Sequence, residues 1–234
     1  MSAILRRELA AYFYSPIGYI YLTVFYMFSG LFFVLNTLLS QRADITPVFS
    51  GMFTIVMFLI PILTMRLLSE DKKNKTDQAL LTAPISLVGL VFGKFFAAVI
   101  VFIMGLSITI VYGIIVNVFA TPSWEIIWGN FIALLMLGMA LISIGMLISA
   151  LTENQVIAAI GGFAVGFFLL LIDILSSFFQ NPLLNRVLHG ISFQRNFSAF
   201  PSGIFNFSNI FFFLSVTVVF VFLTVRVLEK RRWG

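Results

Sequence analysis

The sequence contains no cysteine and a single histidine, His189. Disulfides, thiolate metal sites and cysteine nucleophiles are excluded, and one imidazole among apolar neighbours lacks the partners that catalysis requires. Charge is scarce too, with 10% of residues charged against 61% hydrophobic. So little polar surface cannot cover a water-soluble domain of 234 residues. No HExxH or GxSxG pattern occurs. The GLVFGKF run at 89–95 is one residue short of a phosphate-binding loop and has Phe95 where the metal-binding hydroxyl would stand. The chain therefore reads as a subunit with no catalytic or metal site and no bound cofactor of its own.

Apolar length is what the sequence has in quantity: 29 Phe and a mean hydropathy of +1.09. A membrane crossing takes about 20 apolar residues to match a hydrocarbon core of about 30 Å, so the length allows six helices with short loops. The predicted fold class is an all-α integral membrane protein, with spans near 17–39, 48–68, 87–119, 124–150, 156–179 and 209–227. The net charge of +5 would point to nucleic acid in a soluble protein. Here the basic residues flank apolar runs, where they face lipid headgroups, so the bilayer is the expected partner and nucleic acid is not.

Three stretches depart from plain spans. Residues 2–15 read as an amphipathic interfacial helix, with Leu5, Leu9, Tyr12 and Phe13 on one face and Arg6 and Arg7 off it. Pro16 and Gly18 should break it from span one. Glu8 and the following aromatics do not fit a signal peptide. Residues 181–208 should lie on the external side of the membrane, with short external helices and an aromatic patch of Phe193, Phe197 and Phe200 that must rest on the membrane or dip into it under protein.

The third stretch, RLLSEDKKNKTDQALLTAPISLVGLVFGKF at 66–95, is the one substantial polar segment. Its Arg66, Lys72, Lys73, Lys75 and Lys94 place it on the cytoplasmic side. Only Arg42, Arg186 and Arg195 of the 14 basic residues then fall outside, which puts both termini inside. Thr76 should cap a short helix through Asp77, Gln78, Leu80 and Leu81, with Asp77 at its positive end and Pro84 as its stop. Ser86 should cap the next helix, and Lys94 should snorkel to the headgroups. Span three is too long for one crossing, so its first two turns should project inward. Such a capped helix between two spans is either a solvated loop or a docking element for a cytoplasmic partner.

Within the spans, Pro61 should kink span two unless neighbours supply the lost hydrogen bond. Gly138, Ala140, Ser143 and Gly145 give span four a small-residue face, and Gly161, Gly162 and Gly166 allow span five to pack closely or bend. Asp173 is an acid inside a span, an expensive placement. It reads either as a substrate or proton contact on a translocation path or as a structural acid bonded to a neighbouring helix.

Several segments together resemble the type-2 (ABC-2 type) ABC transporter permeases, and most closely the gliding-motility-associated branch. They are SPIGY at 15–19, IPILTMR at 60–66, EDKK at 70–73, LLTAPIS at 80–86, GKF at 93–95 and LTENQ at 151–155. The resemblance implies a single transmembrane domain over 1–234, acting as a non-catalytic exporter subunit of a bacterial inner membrane. It implies a dimer with a second copy or a related permease, two copies of a separate ATPase that holds ATP and Mg, and room for an accessory membrane or periplasmic subunit. It makes 69–86 the ATPase-coupling segment, with the helix at 76–84 as the docking element and Glu70, Lys72 and Lys73 beside it. Family members often have Gly before the Thr and Glu two residues after it, where this chain has Lys75 and Gln78. The competing classes are a passive channel or ion-coupled carrier built on Asp173, and a membrane anchor for a larger machine.

Overall fold

The protein is described by a computed structural model over residues 2–41, 44–76, 86–178, 188–200 and 207–233. The described residues form helices and no strand. In chain order these are α1 (Ser2–Tyr14), α2 (Pro16–Phe33, prolonged by a π-helical turn Val34–Leu38), α3 (Thr46–Thr64), α4 (Ser69–Lys73) and α5 (Leu87–Leu106). There follow α6 (Ile108–Phe119), α7 (Trp124–Leu151), α8 (Gln155–Phe178), α9 (Phe193–Ser198) and α10 (Phe207–Trp233). Six stretches are long and apolar enough to cross a membrane: Pro16–Leu38, Thr46–Lys73, Leu87–Phe119, Trp124–Leu151, Gln155–Leu175 and Phe207–Arg232. This is the all-α, six-span architecture expected from the hydropathy.

Position in the bundle follows from side-chain size. Spans two and four are the inner ones, 67% and 61% buried, whereas spans one and six are 28% buried and present Phe, Leu and Val outward. Helix α7 is central, packed by α3, α5, α8 and α10, and its small residues make that possible. A Cβ on Gly138 would lie 2.0 Å from the Phe102 ring of α5, and one on Gly145 would lie 2.2 Å from the Thr64 hydroxyl of α3. Ala140 and Ser143 are fully buried between them. The small-residue face is therefore a packing seam.

The proline in α3 is accommodated by its neighbour. Pro61 has no N–H to give to the Met57 carbonyl, four residues earlier, yet the helix runs through it to Thr64. Helix α8 closes over this site with glycines: a Cβ on Gly162 would meet the Pro61 ring at 2.8 Å, and one on Gly166 would meet the Met57 carbonyl oxygen at 2.9 Å. The backbone of α8 thus lies flush on the weakest turn of α3.

Span three breaks at Ser107 between α5 and α6, which hydropathy did not foretell. The Met104 carbonyl there accepts both the Ser107 hydroxyl, at 2.7 Å, and the Tyr26 hydroxyl of α2, at 2.8 Å. Two side-chain donors at one carbonyl compete with the helical ladder. The first turns of α5 do not project freely either: Leu87, Leu90, Val91 and Phe95 are buried, because α1 lies along them.

The break between α1 and α2 falls where Pro16 and Gly18 stand. Pro16 occupies the first turn of α2, Ser15 is extended with ψ 155°, and a Cβ on Gly18 would lie 2.6 Å from the Tyr12 carbonyl oxygen. Only a residue without a side chain lets the end of α1 fold back this closely. At the other end of the bundle, the aromatic patch is under protein. Phe193, Phe197 and Phe200 are buried, with Phe197 against Phe53 of α3 at 5.0 Å between ring centroids and Phe193 against Phe213 of α10 at 5.6 Å.

Candidate functional site: a buried ion cluster where α1, α4, α5 and α7 meet

Polar chemistry is concentrated at the end of the bundle where α1 crosses the start of α5 and the 65–76 segment leaves α3. Two cations organise it, and each joins α1 to the polar segment.

The first is Arg66, 8% exposed. Its Nε is 2.8 Å from the Glu70 carboxylate one turn on, and its Nη1 donates to the Ala11 carbonyl at 3.2 Å and to the Ser15 hydroxyl. The guanidinium also stacks over the Tyr12 ring, 5.2 Å from the centroid. Tyr12 itself donates to the Leu63 carbonyl at 2.8 Å. Burial pushes the Tyr12 phenol well above its ordinary range, so it remains a donor. The C-terminal end of α1 is thereby pinned to the end of α3.

The second is Lys94, 2% exposed. Its Nζ lies 3.0 Å from Glu8 Oε1 on α1 and 2.6 Å from Asp71 Oδ2 on α4. Arg7 closes the ring, 2.7 Å from Glu8 and 3.7 Å from Asp71. Two cations and two carboxylates leave no net charge, the condition under which such groups tolerate burial. Lys94 therefore does not snorkel to headgroups: Ile4 of α1 sits on Gly93, where a Cβ would lie 2.8 Å from its methyl, so α1 roofs the lysine and Glu8 replaces water.

The short helix α4 is fastened to α7 as well. Ser149 Oγ accepts the N–H groups of Leu68 and Ser69, each at 3.0 Å, and donates to the Met65 carbonyl at 3.1 Å. These are backbone groups that the turn after α3 leaves without helical partners. The Lys72 ammonium donates to the Ala150 carbonyl at the C-terminal end of α7, where the helix dipole favours a cation.

The predicted coupling residues divide sharply. Lys72 is buried and Glu70, partly exposed, is bonded to Arg66, whereas Lys73 is exposed, as are Lys75 and Thr76 beyond it. The turn that Thr76 is expected to cap lies outside the described residues. The Thr76 hydroxyl turns back to Asp71, 3.2 Å from the carbonyl and 3.0 Å from Oδ1. Asp77, Gln78, Leu80, Leu81 and Pro84 lie outside the described residues. Lys75 has φ +56°, the left-handed conformation that ends α4. Glycine takes that conformation without strain, which accounts physically for the Gly expected just before the Thr. Ser86 caps α5 as expected, accepting the Gly89 N–H at 3.1 Å.

In the interfacial helix, Leu5, Leu9, Tyr12 and Phe13 pack on the core and Arg6 is exposed, while the half-exposed Arg7 turns its guanidinium to Glu8 and Asp71. Glu8, Asp71, Lys94 and Ser149 were not read as a site. Only the cost of burying Glu8 on the apolar side of α1 could have flagged them. Asp173 is far along the chain from this cluster. Its Oδ1 accepts the Ser192 hydroxyl at 2.5 Å, and Ser192 in turn caps α9 by accepting the Arg195 N–H at 2.9 Å.

An all-helical bundle of six spans, with its ionic chemistry gathered at one end, defines a multi-pass integral membrane protein. Residues 27–233 match the family described as ABC-2 family transporter protein, and the chain belongs to that family. It is thus a permease component of an ABC transporter, a membrane subunit of a class that associates with an ABC ATPase. No curated protein sequence matches it.

Proposed function

We propose that the chain is the permease subunit of an ATP-driven exporter, a single transmembrane domain over 1–234 whose 69–86 segment receives a separate cytoplasmic ATPase. The observation that carries this reading is the anchoring of α4. A segment that only connected two spans would need no buried ions, yet α4 is tied to α1 and α5 by Asp71 and to α7 by Lys72 and Ser149. A force applied at its exposed edge reaches three helices at once.

In this reading Lys73, Lys75, Thr76 and the stretch through Asp77, Gln78, Leu80, Leu81 and Pro84 meet the ATPase, while Glu70 and Lys72 orient the platform from behind. Two such subunits, either identical or one paired with a related permease of the gliding-motility type, work with two ATPases that hold ATP and Mg. Both termini lie on the cytoplasmic face of a bacterial inner membrane. Closure of the ATPases rocks spans one, two and five around a largely apolar path that suits an amphipathic cargo such as a lipid or peptide. Asp173 acts through Ser192, holding α9 over the external end of that path.

The test is affinity purification of the tagged chain from native membranes in mild detergent, scored for co-purifying ATP hydrolysis. An ATPase should arrive with the wild type and be lost from a Leu80→Asp, Leu81→Asp variant that still folds. An intact chain that brings no ATPase would overturn the exporter and leave a channel or an anchor.

A further inference from the structure

We infer that Lys94 is a two-armed charge latch that transmits movement of the coupling segment to α1, so that α1 is a driven lever and not a passive interfacial anchor. The inference rests on the docking function proposed above.

The geometry has three parts. The pivot is at the C-terminal end of α1, where Tyr12 donates to Leu63 and Arg66 grips Ala11 and Ser15. The drive point is Glu8, one turn nearer the N-terminus, which reaches Asp71 through the shared Lys94 ammonium and through Arg7. The driven arm is the start of α1, where Ser2, Ala3 and Arg6 are exposed while Ile4 and Leu5 rest on the core. A displacement of Asp71 therefore pulls on Glu8 while the Tyr12 end stays fixed, and α1 swings over α5 about that end.

A buried ion cluster is a poor way to gain stability, because desolvation consumes most of the Coulomb attraction and an apolar cluster of equal volume would serve as well. What charges supply instead is a directional tie that keeps its register under load. Here one cation holds two carboxylates from elements that lie far apart in the chain. The arms act in series, so cutting either one should release the lever.

Because the chain has no cysteine, single probes can be placed without background. An environment-sensitive fluorophore is attached at Ala3→Cys, on the driven arm, or at Asn74→Cys, at the end of α4, in the complex with its co-purified ATPase. Each is read before and after addition of ATP with vanadate. Both probes should respond in the wild type. In Glu8→Gln the Asn74 probe should keep its response while the Ala3 response is lost, with ATPase binding and hydrolysis retained. Glu8→Ala should behave in the same way.

An Ala3 response that persists in Glu8→Gln overturns the latch, as does loss of both probe responses together. Dissociation of the ATPase from Glu8→Gln also overturns it, since the cluster would then only hold the docking platform in shape. If no ATPase accompanies the wild type, the docking function itself fails and the latch fails with it. A failure of the latch alone leaves the ATPase in place.

Discussion

At the scale of single residues, the protein is shaped by where side chains are missing as much as by where they are. The Phe102 ring occupies the space where Gly138 would carry a Cβ, 2.0 Å from its nearest carbon. Gly138→Ala forces the ring to move within a fully buried layer, a strain of about 1–3 kcal/mol. The variant should melt at a lower temperature in detergent, and adding Phe102→Leu should recover part of the loss. An undiminished melting temperature would mean that α5 and α7 are free to separate. Lys75 shows the opposite case, a side chain kept where glycine would be easier. Its left-handed backbone costs on the order of 1 kcal/mol, and it stands exposed just past the C-terminal end of α4, where the helix dipole favours a cation.

At the scale of elements, α1 is held by a few polar bonds and a modest apolar face, and its attachment should be separable from the folding of the bundle. Tyr12→Phe removes the bond to Leu63 and leaves that carbonyl without the phenol, costing about 1 kcal/mol. Proteolysis near the α1–α2 junction should quicken while the spans remain protected. The same bond carries a pH dependence whose sign is fixed by burial. The phenol titrates higher in the folded protein than in the released helix, where its value is about 10, so its contribution is complete below about pH 10 and declines as pH rises further. Release of α1 should show this alkaline dependence in the wild type and lose it in Tyr12→Phe. An identical alkaline profile in both proteins would exclude Tyr12 as its origin.

At the scale of the whole molecule, six spans place α1, α4 and the end of α10 on one side and the α6–α7 turn on the other. Contacts support the grouping: Arg231 of α10 is 3.8 Å from Glu153 in the α7–α8 turn, beside the Ala150 carbonyl that Lys72 reaches. With no native cysteine, the arrangement can be mapped by single substitutions. Ser2→Cys, Asn74→Cys and Lys230→Cys should react with an impermeant thiol reagent from one face of sealed vesicles, and Thr121→Cys only from the other. Reaction of Thr121→Cys from the same face as Ser2→Cys would require an even number of crossings between them, where the six-span topology has three, and would break that topology.

Hydropathy alone determined the class, the number of spans and most of their limits, because in a bilayer each crossing must be continuous, apolar and of a fixed length, and these are local properties. Local rules also located the α1–α2 break at Pro16 and Gly18, the Ser86 cap and the amphipathic face of α1. What they missed depends on who lies beside whom. Ser107 marks a break because Tyr26, from another helix, shares the Met104 carbonyl with it. Lys94 looked like a headgroup anchor until α1 covered it, and Glu8 counted only against a signal peptide until Lys94 stood beneath it. The sequence holds every charge of that cluster, but residues 8, 71 and 94 carry no mutual spacing that a helix or turn would recognise. Only the tertiary packing of α1 over α5 removes water from them, and once water is gone the carboxylates and the ammonium must satisfy one another.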